Sequence, residues 1–409
     1  MTQNYLGNIL SRQKRAAERR FLHQIAIIFM ALISLFHSDR KDTVAKRILM
    51  VIDGLPGGGA EKVVLTLVTG MLAQGHRVSL FSLRKVCDYP LPAGVNYQVI
   101  EDRNRRPWRK LTELRRRARL LDSAVRQAEQ TSGAFDLIIS HLHKTDRIVR
   151  HCRALPSSKT WFCLHGVFSA SYLGHRKGLS RWLKVQKIHH VYQGGNVVGV
   201  SPEVLDDLKR SFNVTLAREA VIGNPFDIEK IQQLAAEPAE VPSSGFLLHV
   251  GRFHETKRHD RLFKAYALSH IPLPLVLLGQ GSAERKAALQ SLAQQLGIND
   301  RVIFKGFTAN PYAWISRASM LIVSSDSEGF GNVLIEAMLC GTPVVSTRCP
   351  GGPKWLLQGD LSRGLADLNA QSLAETMRAI YQQPPQFSAA DFAGFDTDAI
   401  CKQYLALSD

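Results

Sequence analysis

Short apolar runs recur along most of the chain and alternate with stretches in which apolar residues fall at helical spacing. The first run, Arg47–Ile52, has the length and branching of a buried strand, and a glycine-containing loop and Val63–Leu72 at helical spacing follow it. Further strand-like runs are residues 78–83, 137–139, 160–164 and 196–200. This alternation predicts βαβ units and a parallel sheet.

A second series of the same kind begins after a polar stretch, residues 226–245, which contains Pro238 and Pro242 and predicts a linker. Its strand-like runs are residues 246–250, 273–278, 301–304, 320–324 and 343–346. We therefore expect an α/β protein with two Rossmann-like, doubly wound domains that face one another across a cleft. The expected domains are residues 46–225 and 246–390, and residues 391–409 are expected to form a C-terminal helix that packs back on the first domain.

Residues 1–45 do not share this alternation. They contain a mostly apolar run, Phe21–Phe36, with basic residues on both sides. A helix of this length extends about 24 Å, whereas the hydrocarbon core of a bilayer is about 30 Å thick. We expect a helix on the membrane surface or a dispensable extension, with a single membrane span as the alternative. No small-residue cleavage site follows the run, so secretion is not expected.

The charge of the chain is concentrated near its N-terminus. The 409 residues have ordinary globular composition, 45% hydrophobic and 21% charged, with a net charge of +17. Residues 1–119 hold 22 Lys or Arg against 9 Asp or Glu, which is +13 of that total. This asymmetry favours a polyanionic partner, whether nucleic acid, an anionic membrane surface or a phosphorylated substrate.

The densest basic segment is Arg103–Arg119, in which leucines interrupt the basic residues as in a basic amphipathic helix. It predicts attraction to anionic lipid, and a solvated helical face is the alternative. The six cysteines include no CxxC pair, so neither a zinc site nor a disulfide framework is indicated, and a reducing, cytoplasmic setting is expected.

The segment SSDSEGFGNVLIEAM, residues 324–338, gives the strongest indication of chemistry. It places Glu328 and Glu336 around a turn from an apolar strand into a helix. At this edge of an open α/β sheet, helix N-termini expose unpaired N–H groups and bind diphosphates. Gly329 and Gly331 allow the backbone to approach a ligand. Glu336 suits a ribose hydroxyl pair and Glu328 would face what lies beyond the phosphates, unless both merely stabilise the helix N-terminus.

Three other strand ends of the second series carry glycines, cations or an aromatic residue. They are Gly251, Arg252 and Lys257 after the first strand, Gly279 after the second, and Gly306 with Phe307 after the third. Two cations near one helix N-terminus could hold a diphosphate leaving group without a metal. A single such residue is more often solvated surface, but the repetition at successive strand ends favours a site.

These segments resemble the retaining glycosyltransferases of family 4, also called glycosyl transferases group 1, which have the GT-B fold. The resemblance covers residues 47–405. It rests on HVGRFHETK (249–257), LLGQGS (277–282), FKGF (304–307), the E-x7-E pair Glu328 and Glu336, and GTPVVST (341–347).

The resemblance implies that the second domain binds a nucleotide sugar, expected to be a UDP-sugar. Arg252 and Lys257 would neutralise its diphosphate, Glu336 would hold its ribose, and Glu328 would touch the donor sugar. Residues 306–310 would lie beside the nucleobase. The other donor-binding residues expected in this domain are Gly251, Gly279, Gly306, Phe307, Gly329, Phe330, Gly331 and Asn332.

In the first domain, GGGAEK at residues 57–62 matches a family loop that closes over the donor phosphates through Gly58 and Gly59. Lys62 breaks the G-x-G-x-x-G pattern, so a nicotinamide cofactor is not favoured. His165 follows a strand and matches a family histidine near the donor sugar, which makes His165, Glu328, Arg252 and Lys257 the expected catalytic residues.

His141 and His143 also follow a strand, in SHLHKTD, and are expected to face the acceptor. Their spacing could suggest a metal, but the sequence offers no third ligand. Asp396 and Asp398 resemble the D-x-D metal motif of another glycosyltransferase fold, yet they precede a predicted helix, so helix capping is the better account. We expect no essential metal and no cofactor, with the nucleotide sugar as co-substrate.

One departure from the family limits the transfer of roles. Many relatives have a Gly-Pro-Arg-Glu-like segment after the VVST strand, whereas PGGPKWLL places Lys354 and Trp355 in the corresponding positions. No role of the usual glutamate is therefore carried over.

The resemblance implies transfer with retention of anomeric configuration, in which the acceptor hydroxyl attacks from the face that the diphosphate leaves. Family acceptors include lipopolysaccharide core, O-antigen and capsule precursors. Together with the basic N-terminal half, this predicts a glycolipid or envelope polysaccharide acceptor and a peripheral location on the cytoplasmic face of the inner membrane. The alternatives are a soluble glucan or sugar phosphate acceptor, or a nucleic-acid-binding protein, which lacks a recognisable reader motif.

Overall fold

The structure is a computed structural model that describes residues 44–104, 109–174 and 176–409, without the side chains of residues 109–111. The expectations for the apolar run in residues 1–43 lie outside the described residues. Residues 46–409 form one compact unit. Within the described part of the chain, no helix is both long enough and apolar enough to span a bilayer.

The first sheet has seven parallel strands in the order β3-β2-β1-β4-β5-β6-β7. Their bounds are Arg47–Ile52 (β1), Arg77–Ser82 (β2), Asn96–Val99 (β3), Leu137–His141 (β4), Thr160–Leu164 (β5), Asn196–Gly199 (β6) and Arg218–Val221 (β7). The strand order reverses between β1 and β4, as in doubly wound folds that bind ligands at this point. The central strands are buried along their length, which explains their continuous apolar runs.

Within the described residues, five helices connect these strands. Their bounds are Gly59–Ala73 (α1), Arg109–Ser132 (α2), His143–Val149 (α3), Gly178–Tyr192 (α4) and Pro202–Phe212 (α5), and a π-helical turn covers Ser169–Leu173. Each of them follows a strand of the sheet, so their N-terminal ends lie toward the carboxyl edge. In α5 the first residue is Pro202, which needs no N–H partner at that position.

The second sheet has six parallel strands in the order β10-β9-β8-β11-β12-β13. Their bounds are Leu247–Val250 (β8), Leu275–Leu278 (β9), Val302–Gly306 (β10), Met320–Val323 (β11), Val344–Thr347 (β12) and Leu365–Ala366 (β13). Counted from β8, this is the 3-2-1-4-5-6 order of the dinucleotide-binding fold. The predicted α/β class with two Rossmann-like sheets is therefore confirmed.

The remaining helices surround the second sheet or return to the first. Their bounds are Ile228–Ala236 (α6), His259–Ser269 (α7), Ala283–Gln295 (α8), Tyr312–Ile315 (α9), Asn332–Leu339 (α10), Pro353–Leu356 (α11), Ala370–Gln382 (α12) and Thr397–Leu405 (α13). Helix α6 lies inside residues 226–245 and packs against α9. Its last turn is bonded to the second domain, because the Ser316 hydroxyl donates to the Ala235 carbonyl at 2.9 Å.

The C-terminal helix α13 packs against α1 of the first domain. The contact is close at Gly70, where an added Cβ would lie 2.5 Å from Cγ2 of Thr397. Asp396 caps α13 by accepting a hydrogen bond from the Asp398 N–H at 2.9 Å, so the predicted capping role of this D-x-D segment is confirmed.

Candidate active site

The loops that carry the predicted motifs of the second domain meet at one sheet edge, because β10, β9, β8 and β11 are consecutive neighbours. Hydrogen bonds join these loops. The Gly251 N–H donates to the Leu278 carbonyl at 2.9 Å, and the Gly279 N–H donates to the Gly306 carbonyl at 2.8 Å. The structure therefore brings Gly251, Gly279 and Gly306 together at the edge where parallel α/β sheets bind ligands.

Gly279 is required by this arrangement. Its φ is +145°, and an added Cβ would lie 1.9 Å from the carbonyl oxygen of Gly251. No side chain fits that distance, so the close approach of the two loops depends on glycine at this position.

Lys257 and Glu328 form an ion pair at the same edge. Nζ of Lys257 donates to Oε1 of Glu328 at 2.7 Å, and the Ser325 hydroxyl donates to the same oxygen at 2.6 Å. The Glu328 side chain is only 11% exposed. A carboxylate held by two donors has one orientation, as a preorganised site requires.

Arg252 and Phe307 lie at the exposed rim of this edge. The Phe307 side chain is 71% exposed. Arg252 is also exposed and forms no ion pair within the part of the chain that the structure describes. Both side chains are open to a ligand, in contrast to the paired Lys257.

Glu336 lies on α10 and is paired with a residue of the first domain. Nζ of Lys62 donates to Oε1 of Glu336 at 3.1 Å, and the Tyr312 hydroxyl donates to the same oxygen at 3.0 Å. Burial is the largest influence on the pKa of Lys62 and opposes its charge, yet Glu336 and Tyr312 together raise this pKa above its ordinary value. Lys62 is therefore a cation held against the carboxylate that the sequence assigns to a ribose.

The two domains approach closely at Gly329. An added Cβ there would lie 2.0 Å from the carbonyl oxygen of His165. The Ser201 hydroxyl donates to the Gly329 carbonyl at 2.8 Å, and the Gly351 N–H donates to Oε2 of Glu203 at 2.7 Å. The loop that contains Glu328 thus rests directly on the carboxyl edge of the first sheet.

The N-terminus of α10 faces the N-terminus of α1 across this contact. Gly331 caps α10 with a φ of +96°, a conformation that favours glycine. Oδ1 of Asn332 accepts a hydrogen bond from Nδ2 of Asn224 at 2.6 Å. An added Cβ on Gly59 would lie 3.9 Å from Nδ2 of Asn332, and Gly58 caps α1. Two sets of unpaired backbone N–H groups therefore point toward one region, which suits an anion.

Phe330 differs from its neighbours in the predicted donor site, because its ring is only 3% exposed. It packs against Phe226, Trp355 and Phe395, with ring centroids 6.1, 5.9 and 5.4 Å away. A side-chain role of Phe330 in donor binding is therefore not supported, since apolar packing buries the ring. Trp355, which departs from the family pattern, serves the same aromatic cluster.

His141 and His165 contact one another at the ends of β4 and β5. Nδ1 of His141 lies 3.0 Å from Nε2 of His165, so one ring donates its N–H to the other. Burial lowers the pKa of His165 to about 4, and burial with the neighbouring His165 lowers the pKa of His141 well below its ordinary range. Both rings are therefore neutral at pH 7 and can form hydrogen bonds without carrying a charge.

His143 contacts a different set of residues. Its ring packs against Phe168 and Tyr172, and its Nδ1 lies 3.1 Å from the Tyr192 hydroxyl. Burial, with smaller effects of Arg147 and Lys184, lowers the pKa of His143 to about 4. The two histidines of SHLHKTD thus lie in separate networks, and the structure joins only His141 to His165.

Asp146 is a buried acid that the sequence analysis did not single out. The Ser140 hydroxyl donates to its Oδ1 and the Tyr192 hydroxyl to its Oδ2, both at 2.6 Å. Burial raises the pKa of Asp146 to about 8, so the group is largely protonated at pH 7. The sequence did contain an indication that Asp146 lies near His143, because the two residues are one helical turn apart in a short helix that follows a strand.

Cys163 joins His141 and His165 in a cluster whose ligand atoms all lie within 4.8 Å of one another. The cluster is a set of three possible ligands that the sequence spacing did not reveal, and it does not include His143. However, Sγ lies 3.2 Å from the Tyr404 hydroxyl, and burial raises the pKa of this thiol to about 12. Metal ligation needs the thiolate, whereas burial favours the neutral thiol at this site.

Lys62 and Tyr312 are the other residues that sequence reasoning missed as parts of the site. Lys62 entered the sequence analysis only because it breaks a glycine pattern, and Tyr312 had no motif. Both are identified by their contacts with Glu336, and the contact of Lys62 joins residues 274 positions apart. Sequence spacing carries no signal for such a contact.

Two family descriptions match the chain in adjoining segments. Residues 57–230 match Glycosyltransferase Family 4, and residues 231–391 match Glycosyl transferases group 1. The junction between the two matches falls within α6, where the chain passes from the first domain to the second.

Individual proteins with similar sequences are also glycosyltransferases. The N-acetylgalactosamine-N,N'-diacetylbacillosaminyl-diphospho-undecaprenol 4-alpha-N-acetylgalactosaminyltransferase of Campylobacter jejuni is 27% identical over 311 residues, which are 76% of this chain and 82% of that protein. A D-inositol 3-phosphate glycosyltransferase of Arthrobacter is 26% identical over 358 residues, 80% of this chain and 82% of that protein.

Among solved structures, Anabaena HepE in complex with UDP and glucose matches the fold with a TM-score of 0.63. The sequence identity is 19%, and the match covers 89% of this chain and 97% of that chain. Both sheets, the E-x7-E loop and the family matches agree, and the chain therefore belongs to the GT-B glycosyltransferases of family 4, the glycosyl transferases group 1.

Proposed function

We propose that this glycosyltransferase moves a sugar from a UDP-sugar to a lipid-linked or envelope glycan, such as lipopolysaccharide core, O-antigen or a capsule precursor. Transfer retains the anomeric configuration and needs no metal. The observation that carries the proposal is the meeting of Lys257, Glu328 and Glu336 at the carboxyl edge of the second sheet, facing the first domain at His165 and Lys62.

The donor diphosphate would lie between the N-termini of α1 and α10, where unpaired N–H groups and nearby cations meet a double negative charge. Arg252, exposed and without an ion pair within the described residues, would turn onto the diphosphate. Lys257 would supply a second cation, fixed by Glu328. These groups act on charge that grows on the leaving diphosphate, so they stabilise the transition state more than the bound substrate.

The acceptor hydroxyl would attack from the face that the diphosphate leaves, and a phosphate oxygen would accept its proton. Glu328 would then bond a hydroxyl of the donor sugar, and Glu336 would bond the ribose. The neutral pair His141 and His165 would hold sugar hydroxyls through hydrogen bonds, because neither ring is charged at pH 7.

The relatives support the two substrate classes without fixing them. HepE was solved with UDP and glucose, which supports a uridine nucleotide donor. The Campylobacter relative is named for an acceptor linked to diphospho-undecaprenol, which supports a lipid-linked acceptor. A location on the cytoplasmic face of the inner membrane is part of the proposal.

A soluble phosphorylated acceptor is the second candidate, because the Arthrobacter relative is named for D-inositol 3-phosphate. The two candidates differ in their need for lipid. Turnover with D-inositol 3-phosphate in the absence of lipid would favour the second, and turnover that requires a polyprenyl diphosphate glycan would favour the first.

Two substitutions test the donor site. Lys257→Ala and Arg252→Ala should each lower kcat by about 10²-fold, the scale of losing one preorganised charge contact. The measurement is nucleotide release from a UDP-sugar identified by thermal shift, since a ligand that binds the native state raises the unfolding temperature. Lys264→Ala, an exposed lysine on α7, is the matched control. Wild-type turnover in either variant would remove that residue from the site.

A further inference from the structure

Helix α4 carries apolar side chains on its outer face as well as on its buried face. Ile188, Val191 and Tyr192 are buried against the first domain. On the opposite side Leu179, Trp182 and Leu183 are 71%, 55% and 46% exposed. Positions i, i+3 and i+4 of a helix are neighbours, so these three side chains form one continuous apolar stripe.

The charged residues around the stripe are all basic. Arg176, Lys177, Arg181, Lys184 and Lys187 occupy the same helix and the turn before it. None of these five pairs with an acidic side chain among the described residues. The reason lies in the sequence, because residues 147–202 contain nine Lys or Arg and no Asp or Glu.

The apolar stripe and its basic neighbours are called the α4 surface below. The basic residues lie close enough to affect one another. Burial is the main reason why the pKa of Lys184 is lowered, and the charges of Arg176 and Lys187 lower it further. Trp182 and Leu183 also form one wall of a mostly apolar groove of about 340 Å³ whose other side includes Leu114 of α2. An exposed aromatic residue beside aliphatic and basic ones is the composition of a membrane interface.

The α4 surface adjoins the part of the first domain that is proposed to receive the acceptor. Nζ of Lys184 lies 3.8 Å from the centroid of the Tyr172 ring, and the Tyr172 and His143 ring centroids are 4.9 Å apart. Tyr192, the last residue of α4, contacts Asp146 and His143 through its hydroxyl. One helix thus runs from the exposed surface to the SHLHKTD network.

In the segment that the sequence favoured for anionic lipid, Arg103–Arg119, two of the described basic side chains make internal contacts. Arg116 is bonded to Asp102, and Arg117 pairs with Glu113 and donates to the Leu83 carbonyl. Arg117 also lies near Asp53. These internal contacts use charges that a lipid surface would need.

We propose that the α4 surface docks on an anionic lipid bilayer, with Leu179, Trp182 and Leu183 among the headgroups and the basic side chains against lipid phosphates. Exposed leucines favour this partner over nucleic acid, whose phosphates offer them no apolar contact. The reason for docking rests on the proposed function, because a lipid-linked acceptor would enter the cleft from the membrane beside His143.

The test is co-sedimentation of the full chain with vesicles of phosphatidylcholine alone or with 30% phosphatidylglycerol. We expect binding only to the anionic vesicles. Arg181→Gln with Lys187→Gln should weaken binding about 25-fold, because each basic residue near an anionic surface contributes about fivefold, or 1 kcal/mol. Leu179→Ser with Trp182→Ser should weaken it at least tenfold. All four side chains are exposed, so folding should not suffer.

Matched controls lie on the second domain. Lys264→Gln with Lys286→Gln removes the same charge, and Leu268→Ser with Leu368→Ser removes side chains that are 42% and 45% exposed. Both control pairs should bind anionic vesicles like the wild type. The proposal would be overturned if the wild type bound neutral and anionic vesicles equally, or if the control pairs lost as much vesicle binding as the α4 surface variants. It would also be overturned if the α4 surface variants lost binding to DNA but kept binding to vesicles.

Binding of UDP-sugars separates this inference from the proposed function, because the α4 surface variants should retain it. A wild-type protein that binds UDP-sugars but no vesicles would overturn the docking alone. A wild-type protein that binds anionic vesicles but no nucleotide sugar would support the docking and contradict the proposed function.

Discussion

Lys62 joins the first domain to the carboxylate of Glu336, and this one contact combines electrostatics with domain position. A carboxylate with a 14% exposed side chain loses much of its hydration, and an adjacent cation offsets that loss. The donor ribose is proposed to bond the same carboxylate. Lys62 would then remain beside the bound nucleotide, close enough to add positive charge to the region that holds the diphosphate.

Replacement of Lys62 tests that role. Lys62→Met keeps the length of the side chain and should raise the KM for the donor about tenfold, the effect of losing about 1.4 kcal/mol of charge interaction. Lys264→Met, an exposed lysine on α7, is the matched control and should leave KM unchanged. Initial rates at varied donor concentration give both values. A lower KM in Lys62→Met would contradict the expectation and identify Lys62 as a competitor of the donor.

At the scale of elements, the loop between β11 and α10 is fixed by its neighbours rather than by its own sequence. Glu328 is bonded to Lys257, Gly329 meets the His165 carbonyl, and Asn332 is bonded to Asn224. Each contact comes from another loop, and two of the three come from the first domain. A small change of loop shape would therefore displace the proposed donor-site groups and the domain contacts together.

Gly329→Ala should expose this dependence. The added Cβ would lie 2.0 Å from a backbone carbonyl, which cannot turn away as a side chain could, so the loop and the first domain must separate. A misplacement of about 1 Å can cost 10²-fold in rate, and we expect kcat/KM to fall by about that factor. Gly394→Ala meets no atom within 4 Å and is the control. A kcat/KM for Gly329→Ala equal to that of the control would show that the cleft does not need this close contact.

The elements and the site differ in how far sequence predicts them. Strongly apolar strands such as Thr160–Leu164 were predicted with correct bounds, because burial on both faces leaves a continuous pattern. The three strands Asn96–Val99, Arg218–Val221 and Leu365–Ala366 were not predicted, because they are short edge strands and two of them are largely exposed. The burial pattern that identifies the others is absent from the first two, and the third has only two residues in which to show it.

The same reasoning applies to the site. Lys257 and Glu328 could be assigned to one region because both follow parallel strands, whose carboxyl ends share an edge. The contact of Lys62 with Glu336 could not, since it depends on how two domains face one another. The burial of Phe330 also escaped prediction, because its packing partners come from three distant segments.

At the scale of the whole molecule, buried histidines make stability depend on pH. Burial lowers the pKa of His143, His165 and His249 to about 4 and that of His259 to about 2, and it lowers that of His141 strongly. The unfolded chain takes up protons on these rings near pH 6.5, whereas the folded chain does not until about pH 4 or below. The contribution of these histidines to stability is therefore fully present above pH 6.5 and is lost as the pH falls through their folded pKa values.

Asp146 acts in the opposite direction. Its folded pKa of about 8 lies above its unfolded value, so its contribution is complete below the unfolded pKa and is lost as the pH rises toward 8. Between pH 4 and 6.5 the extra protons that the unfolded chain binds at five histidines outnumber the one extra proton that the folded chain holds on Asp146. The free energy of unfolding should therefore fall on acidification by about 1.4 kcal/mol per pH unit for each extra proton that the unfolded chain binds.

Denaturant unfolding at pH 7.5, 6 and 5 measures this dependence. The variant His259→Leu isolates the contribution of one histidine to it. Both ring nitrogens of His259 are buried without hydrogen-bond partners among the described residues, so the leucine removes a destabilising group. The variant should be more stable than the wild type at pH 5, and its pH dependence should be smaller. Identical pH profiles would mean that His259 takes up its proton equally in the folded and unfolded chain.

The chain crosses between its domains twice, once before α6 and once before α13, and the crossings are bonded to each other. The Phe226 N–H donates to the Phe395 carbonyl at 2.9 Å, and the Thr397 N–H donates to the Phe226 carbonyl at 3.0 Å. The two crossing segments therefore lie side by side and connect the domains at one place. A rotation of the domains about the line through these segments would keep both hydrogen bonds, whereas sliding of one domain past the other would break them.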